Sequence, residues 1–106
     1  MWNVRGESRA ERGANSDWLK REFESLRGRI PGLLQLEVGL DHSRADYACD
    51  VVLYCEFESQ AALDAYASHP EHLRVRAALG DLRTTRYQVD YAPAAASSAT
   101  DTNNKR

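Results

Sequence analysis

Tyr66, His69 and His72 lie within seven residues of one another, and Asp90 follows near the chain end. A phenol, two imidazoles and a carboxylate are the parts of a general acid–base site that needs no cofactor. Pro70 is well placed as a first helical residue, which puts His72 in the first turn, where the positive end of the helix dipole disfavours imidazolium. A neutral imidazole near pH 7 is what a general base requires. Asp90, on the polar side of the last strand, would orient that ring. The competing reading gives these residues no chemistry: Tyr66 packs in the core with its hydroxyl at the rim, and His69 caps the corner at Pro70.

Other chemistries find less support. The three histidines have no carboxylate at metal-ligand spacing, so no metal site is expected. Cys49 and Cys55, read in one strand, would be roughly 20 Å apart, too far to share a disulfide or an ion. They read as small buried hydrophobes. Glu56 and Glu58 sit at a strand end and read as solvated, as does His42 in its polar loop. No phosphate-binding glycine loop and no Gly-x-Ser-x-Gly occurs, so neither a nucleotide cofactor nor serine-hydrolase chemistry is indicated.

The elements that must position these groups follow from periodicity. Residues 6–15 are polar and glycine-containing and read as a loop. Asn15 or Ser16 then caps a helix whose apolar stripe is Leu19, Phe23, Leu26 and Ile30, ended by Gly28 and the Pro31-Gly32 turn. Residues 33–40 alternate as a strand with Leu34, Leu36, Val38 and Leu40 on one face. Residues 49–57 form a second strand: Cys49, Val51, Leu53, Cys55 and Phe57 face helices, while Val52 and Tyr54 lie on a mixed face. Ser59 caps a helix that breaks at His69, before Pro70. The helix begun by Pro70 stops at Gly80, and a strand over 84–91 puts Tyr87, Val89 and Tyr91 on one face. Met1 to Val4 is a strand fragment.

The order is β-α-β-β-α-β, the split βαβ, ferredoxin-like α+β arrangement with both main helices on one sheet face. The open face, carrying Val52, Tyr54, Tyr87, Val89 and Tyr91, is too apolar to leave in water on so small a domain. A homodimer closed through it is therefore expected. Between sheet and helices a pocket for a small apolar or aromatic ligand is expected, lined by Phe23, Leu53, Cys55, Tyr66 and His69.

The 106 residues carry a net charge of −2 with basic residues scattered among acids, which argues against a nucleic-acid partner. No apolar run approaches the roughly 18–20 residues of a membrane span, and the N-terminus lacks a signal-peptide core. A cytoplasmic location follows. The domain occupies 1–92. Residues 93–106, with no large apolar side chain, read as a disordered tail.

Several short pieces, in order, resemble the stress-responsive A/B barrel (Dabb) family over residues 18–91. They are Leu26-Arg-Gly-Arg-Ile-Pro-Gly-Leu33, Asp50-Val-Val-Leu53, Glu56-Phe-Glu-Ser59, Tyr66, His69-Pro-Glu-His72 and Val89-Asp-Tyr91. The resemblance implies a dimeric α+β barrel. It also implies that Tyr66 and His72 match a Tyr-His pair used by a polyketide-cyclase branch. The expected function is a small dimeric stress-responsive protein with an apolar ligand pocket. The alternative is a cofactor-independent enzyme, polyketide cyclase-like or monooxygenase-like, using Tyr66 and His72. Family members usually have a longer first strand, so either a start upstream of Met1 or an unusually short first strand is expected.

Overall fold

A computed structural model of the chain describes residues 1–93. Four strands and three helices follow one another as β1 (Trp2–Val4), α1 (Arg9–Glu24), β2 (Leu33–Leu40), β3 (Val51–Phe57), α2 (Gln60–Ala67), α3 (Pro70–Leu79) and β4 (Arg83–Arg86). The sheet order is β2-β3-β1-β4 with every neighbouring pair antiparallel. This is the ferredoxin-like order expected from the sequence. The disordered-tail reading falls, apart from Pro93, outside the described residues.

The first helix begins earlier than its apolar stripe suggests. Ser8 caps it, accepting a hydrogen bond from the Glu11 N–H at 3.1 Å, and Glu11 reaches back to the Glu7 N–H. Ser8-Arg-Ala-Glu11 is a capping-box pattern, so residues 9–15 are helix rather than loop, and Gly13 is tolerated inside it. The stripe itself holds: Leu19, Phe23, Leu26 and Ile30 are all buried. The helix stops at Glu24, however, and Leu26 and Ile30 are carried by tight turns bonded Leu26 N–H to Phe23 O and Arg29 N–H to Leu26 O.

The face assignment in β2 is corrected at its start. A register shift between Leu33 and Gln35 against β3 turns Leu33 toward the core and leaves Leu34 64% exposed, while Leu36 and Val38 remain buried. An extra residue in one strand reverses the parity of what precedes it. Lys20 Nζ and the Arg27 guanidinium donate to the Val38 and Leu36 carbonyls of this edge strand, so α1 covers an edge that would otherwise be open to pairing.

Gly32 is required twice over. Its φ is +79°, and a Cβ there would lie 2.5 Å from the Ala62 Cβ of α2. The Pro31-Gly32 turn thereby lets α2 pack close to β2.

The core fills the space between the helices and one sheet face. Trp2 stacks on Phe23 with ring centroids 5.1 Å apart and planes 12° apart, and Val4, Leu19, Leu36, Val51, Val75 and Leu79 surround them. Leu73 is 46% exposed and so lies off the buried face of α3, which Val75 and Leu79 form. Arg74, bonded to Ser25 and paired with Glu22 and Glu71, ties α3 to α1.

The strands nearest the cavity are shorter than expected. β3 starts at Val51, because Asp50 instead clips the first strand, its Oδ2 accepting from the Val4 N–H and its own N–H donating to the Trp2 carbonyl. β4 ends at Arg86 rather than Tyr91. The reason is the length of β1: Met1 exchanges two hydrogen bonds with Tyr87, at 2.7 and 2.8 Å, and past that point no strand separates residues 88–91 from β3. β3 pairs with β2 along its length but with β1 only at Val51. A gap one strand wide therefore opens in the sheet layer between β3 and residues 88–91.

Candidate functional site

A cavity of about 330 Å³ occupies that gap, and Val52, Tyr54, Tyr87, Val89 and Tyr91 line it together with residues of the helix side. Its apolar wall is built by Phe23 of α1, Leu53, Cys55 and Phe57 of β3, and Leu63 of α2. Strand alternation explains the β3 set, since residues two apart share a face. Its polar wall is built by His72 and Arg76 of α3, Arg83 and Arg86 of β4, and Gln88 and Asp90 beyond it. Neither Cys49 nor Cys55 is in a disulfide.

Two local signals place His72 there. Ser59 caps α2 by accepting from the Ala62 N–H at 3.1 Å, which starts the helix that carries Tyr66. His69 caps α3, its Nδ1 accepting from the Glu71 N–H at 3.0 Å, with Pro70 as the first helical residue. His69 is thus consumed by the cap and does not line the cavity, which corrects its assignment to the pocket.

His72 Nδ1 lies 3.1 Å from the Ala67 carbonyl oxygen. A carbonyl only accepts, so Nδ1 carries the hydrogen and Nε2 keeps the lone pair. Burial, the leading cause, holds the imidazole below its ordinary value of 6.5; the Ala67 bond opposes this, and Arg76, Arg83 and Arg86 add to the lowering. The sequence reading attributed a neutral His72 to the helix dipole. Desolvation and three neighbouring guanidiniums supply the same direction more directly.

Asp90 lines the cavity but does not bond His72. Its Oδ2 accepts from Gln88 Nε2 at 3.1 Å, and Gln88 Oε1 in turn accepts from Arg86 at 2.7 Å. The orienting group for the ring is therefore the Ala67 carbonyl and not the Asp90 carboxylate.

Tyr66 is 92% buried and stands behind the cavity wall, its ring centroid 4.2 Å from that of His72 and 5.2 Å from that of Phe57. Its hydroxyl has no hydrogen-bond partner among the described residues. Burial pushes the phenol well above its ordinary pKa, so it is a neutral O–H donor and never a phenolate at working pH. Phe23, Leu53 and Cys55 line the cavity, whereas Tyr66 backs it.

The arginines went unnoticed in the sequence because Arg76, Arg83 and Arg86 are spread over two elements. Pairing brings them together. Arg86 lies opposite Trp2 and Arg83 opposite Val4, both of which face the core, and directly opposed residues share a sheet face. The Arg83 guanidinium lies 5.2 Å from the Trp2 ring centroid. Among the described residues no three His, Cys, Asp or Glu side chains are placed to share a metal ion, and no helix is long and apolar enough to cross a membrane.

The sheet's outer face carries Val52 (42% exposed), Tyr87 (58%), Val89 (74%) and Tyr91 (45%). Such a face on a small domain is characteristic of a subunit interface. No curated protein matches the chain. Solved structures do, among them two that are each 27% identical. One is a dimeric protein of unknown function and ferredoxin-like fold from Bacteroides fragilis, with a TM-score of 0.73 over 85% of this chain and 87% of that one. The other is a dimeric ferredoxin-like protein of unknown function from Jannaschia sp., with a TM-score of 0.54 over 71% of this chain and 72% of that one. The family model of the stress responsive A/B barrel domain matches residues 1–93, and the chain belongs to that family.

Proposed function

We propose that this protein is a homodimeric, cytoplasmic binding protein that holds a small apolar or aromatic ligand between its helices and its sheet. The observation that carries this reading is the cavity itself: five apolar side chains on one wall, faced by His72 on the other. Ligand sites are typically concave, mostly apolar and supplied with a few polar groups that fix orientation. Dimerisation through the outer sheet face is supported by the exposure of Val52, Tyr87, Val89 and Tyr91 and by the dimeric state named for both similar structures. The test is an NMR titration with 2-naphthol. Binding in the cavity is expected to shift the His72 ring resonances and the Leu53 and Leu63 methyls together. Unmoved His72, Leu53 and Leu63 signals at millimolar ligand would overturn the assignment.

A second reading, cofactor-independent catalysis of the polyketide cyclase or monooxygenase type, is favoured by one specific arrangement. The Ala67 carbonyl fixes the His72 tautomer with Nε2 as the ring's base, and the Tyr66 ring packs against the imidazole. On this reading Nε2 takes a proton from an activated carbon or hydroxyl of the ligand, and the Tyr66 ring positions the imidazole by packing on it.

A further inference from the structure

We infer that the ligand is an acid: a flat apolar body bearing one carboxylate, which the cluster of Arg76, Arg83 and Arg86 receives. This deepens the reading of the cavity as a ligand site and rests on it. Three guanidiniums from two different elements converge on one wall of a single cavity. Among the described residues none of the three forms an ion pair, although Arg5, Arg27, Arg29 and Arg74 all do. Arg86 donates to Gln88, and Arg83 lies over the Trp2 ring; neither arrangement neutralises charge. The one carboxylate on the cavity wall, Asp90, is engaged by Gln88.

Arg76 and Arg86 reach solvent, but Arg83 is half-buried, and burial followed by its two arginine neighbours holds its guanidinium below its ordinary value, which an anion seated among the three would relieve. A guanidinium's planar fork matches a carboxylate in two parallel hydrogen bonds. The opposite wall of Phe23, Leu53, Phe57 and Leu63 offers such an acid no polar partner. It suits a ring or short hydrocarbon body instead. The ligand therefore spans the cavity with its charged end toward α3 and β4 and its apolar end toward β3 and α2. His72, on the cationic wall, would sit beside the carboxylate or the atoms next to it.

Calorimetry with 2-naphthoate and naphthalene-2-carboxamide, which have the same shape and differ in charge, tests this. The naphthoate is expected to bind about tenfold tighter or better, the difference a charge-assisted bond supplies. Added salt is expected to weaken the naphthoate and leave the carboxamide unchanged. Arg76→Gln lies on the exposed side of α3 and preserves packing, so it keeps the test open if Arg83→Gln unsettles Trp2. Each substitution is expected to bring the two affinities together by lowering only that of the naphthoate. Equal affinities in the parent protein, or a preference that survives both substitutions, would refute anion recognition while leaving the apolar site intact. Failure of both probes to bind would remove the ligand site itself.

Discussion

The Tyr66 ring lies against the His72 imidazole, with centroids 4.2 Å apart and planes inclined by 33°. The helix break between them, where Pro70 starts α3 and His69 caps it, makes this contact possible. In one unbroken helix, residues six apart would project about 120° apart around the axis. The break at Pro70 instead sets the imidazole of one helix on the phenol of the other, with Tyr66 behind the cavity wall and His72 on it.

Replacement of Tyr66 by Phe is expected to leave stability unchanged or to raise it by up to about 1 kcal/mol, because the hydroxyl removed is buried and unpaired. Urea melts measure this directly. A loss of 2 kcal/mol or more, on the scale of about 1–3 kcal/mol for stranding a buried partner, would mean that the hydroxyl has a partner in solution.

Val89→Asp is expected to convert the dimer to a monomer or to unfold the protein, because it places a charge where the most exposed apolar side chain of the proposed interface stands. Sedimentation at micromolar concentration is the measurement. A parent protein that sediments as a monomer, or a variant that remains a dimer, would count against the interface.

The gap beside β3 leads to a separate expectation. An extended, alternately apolar segment of about six residues, joined ahead of Met1, would run antiparallel to β3 and to residues 88–91 and pair with both. It would also convert the Met1 ammonium, now held below its ordinary value chiefly by burial, into a peptide N–H. Several recovered hydrogen bonds at about 1 kcal/mol each would raise the melting temperature by several degrees or more. A polar segment of equal length is the control, and equal melting temperatures for the two would discount the slot.

Much of this fold was legible in the chain. The caps at Ser59, His69 and Gly80, the Pro31-Gly32 turn and the alternation in β3 each have a local cause, and each element lies where its cause puts it. What escaped reading depended on something non-local or on a signal given too little weight. Leu34 changes face because of a register shift defined only by its partner strand. The strand expected over 84–91 is cut to four residues because pairing, not β-propensity, decides where a strand ends, and β1 begins only at Trp2. The capping box at Ser8 was in plain view but was masked by Gly13 and a polar first turn. At the site, apolar Phe23, Leu53 and Cys55 followed from periodicity. The arginine cluster did not, since only the pairing of β4 with β1 turns Arg83 and Arg86 to the same side.

Protonation of His72 couples the site to stability. Its folded value lies below 6.5, so the unfolded chain binds the proton more readily. The contribution is therefore fully present above pH 6.5 and is lost as the pH falls through the folded value. His72→Gln is expected to flatten this part of the stability profile between pH 5 and 7, measured by urea denaturation. An unchanged slope would show that other groups carry the dependence.

The most direct test of the ligand site is the NMR titration of the His72 ring, alone and with 2-naphthoate bound. Free, the imidazole is expected to titrate below 6.5 with the hydrogen of its neutral form on Nδ1, as burial, the three arginines and the Ala67 bond require. A carboxylate seated among Arg76, Arg83 and Arg86 offsets their repulsion, so the value is expected to rise when naphthoate binds. A free His72 titrating at or above 6.5, or one indifferent to the bound acid, would contradict the assignment of this cavity as an acid-binding site.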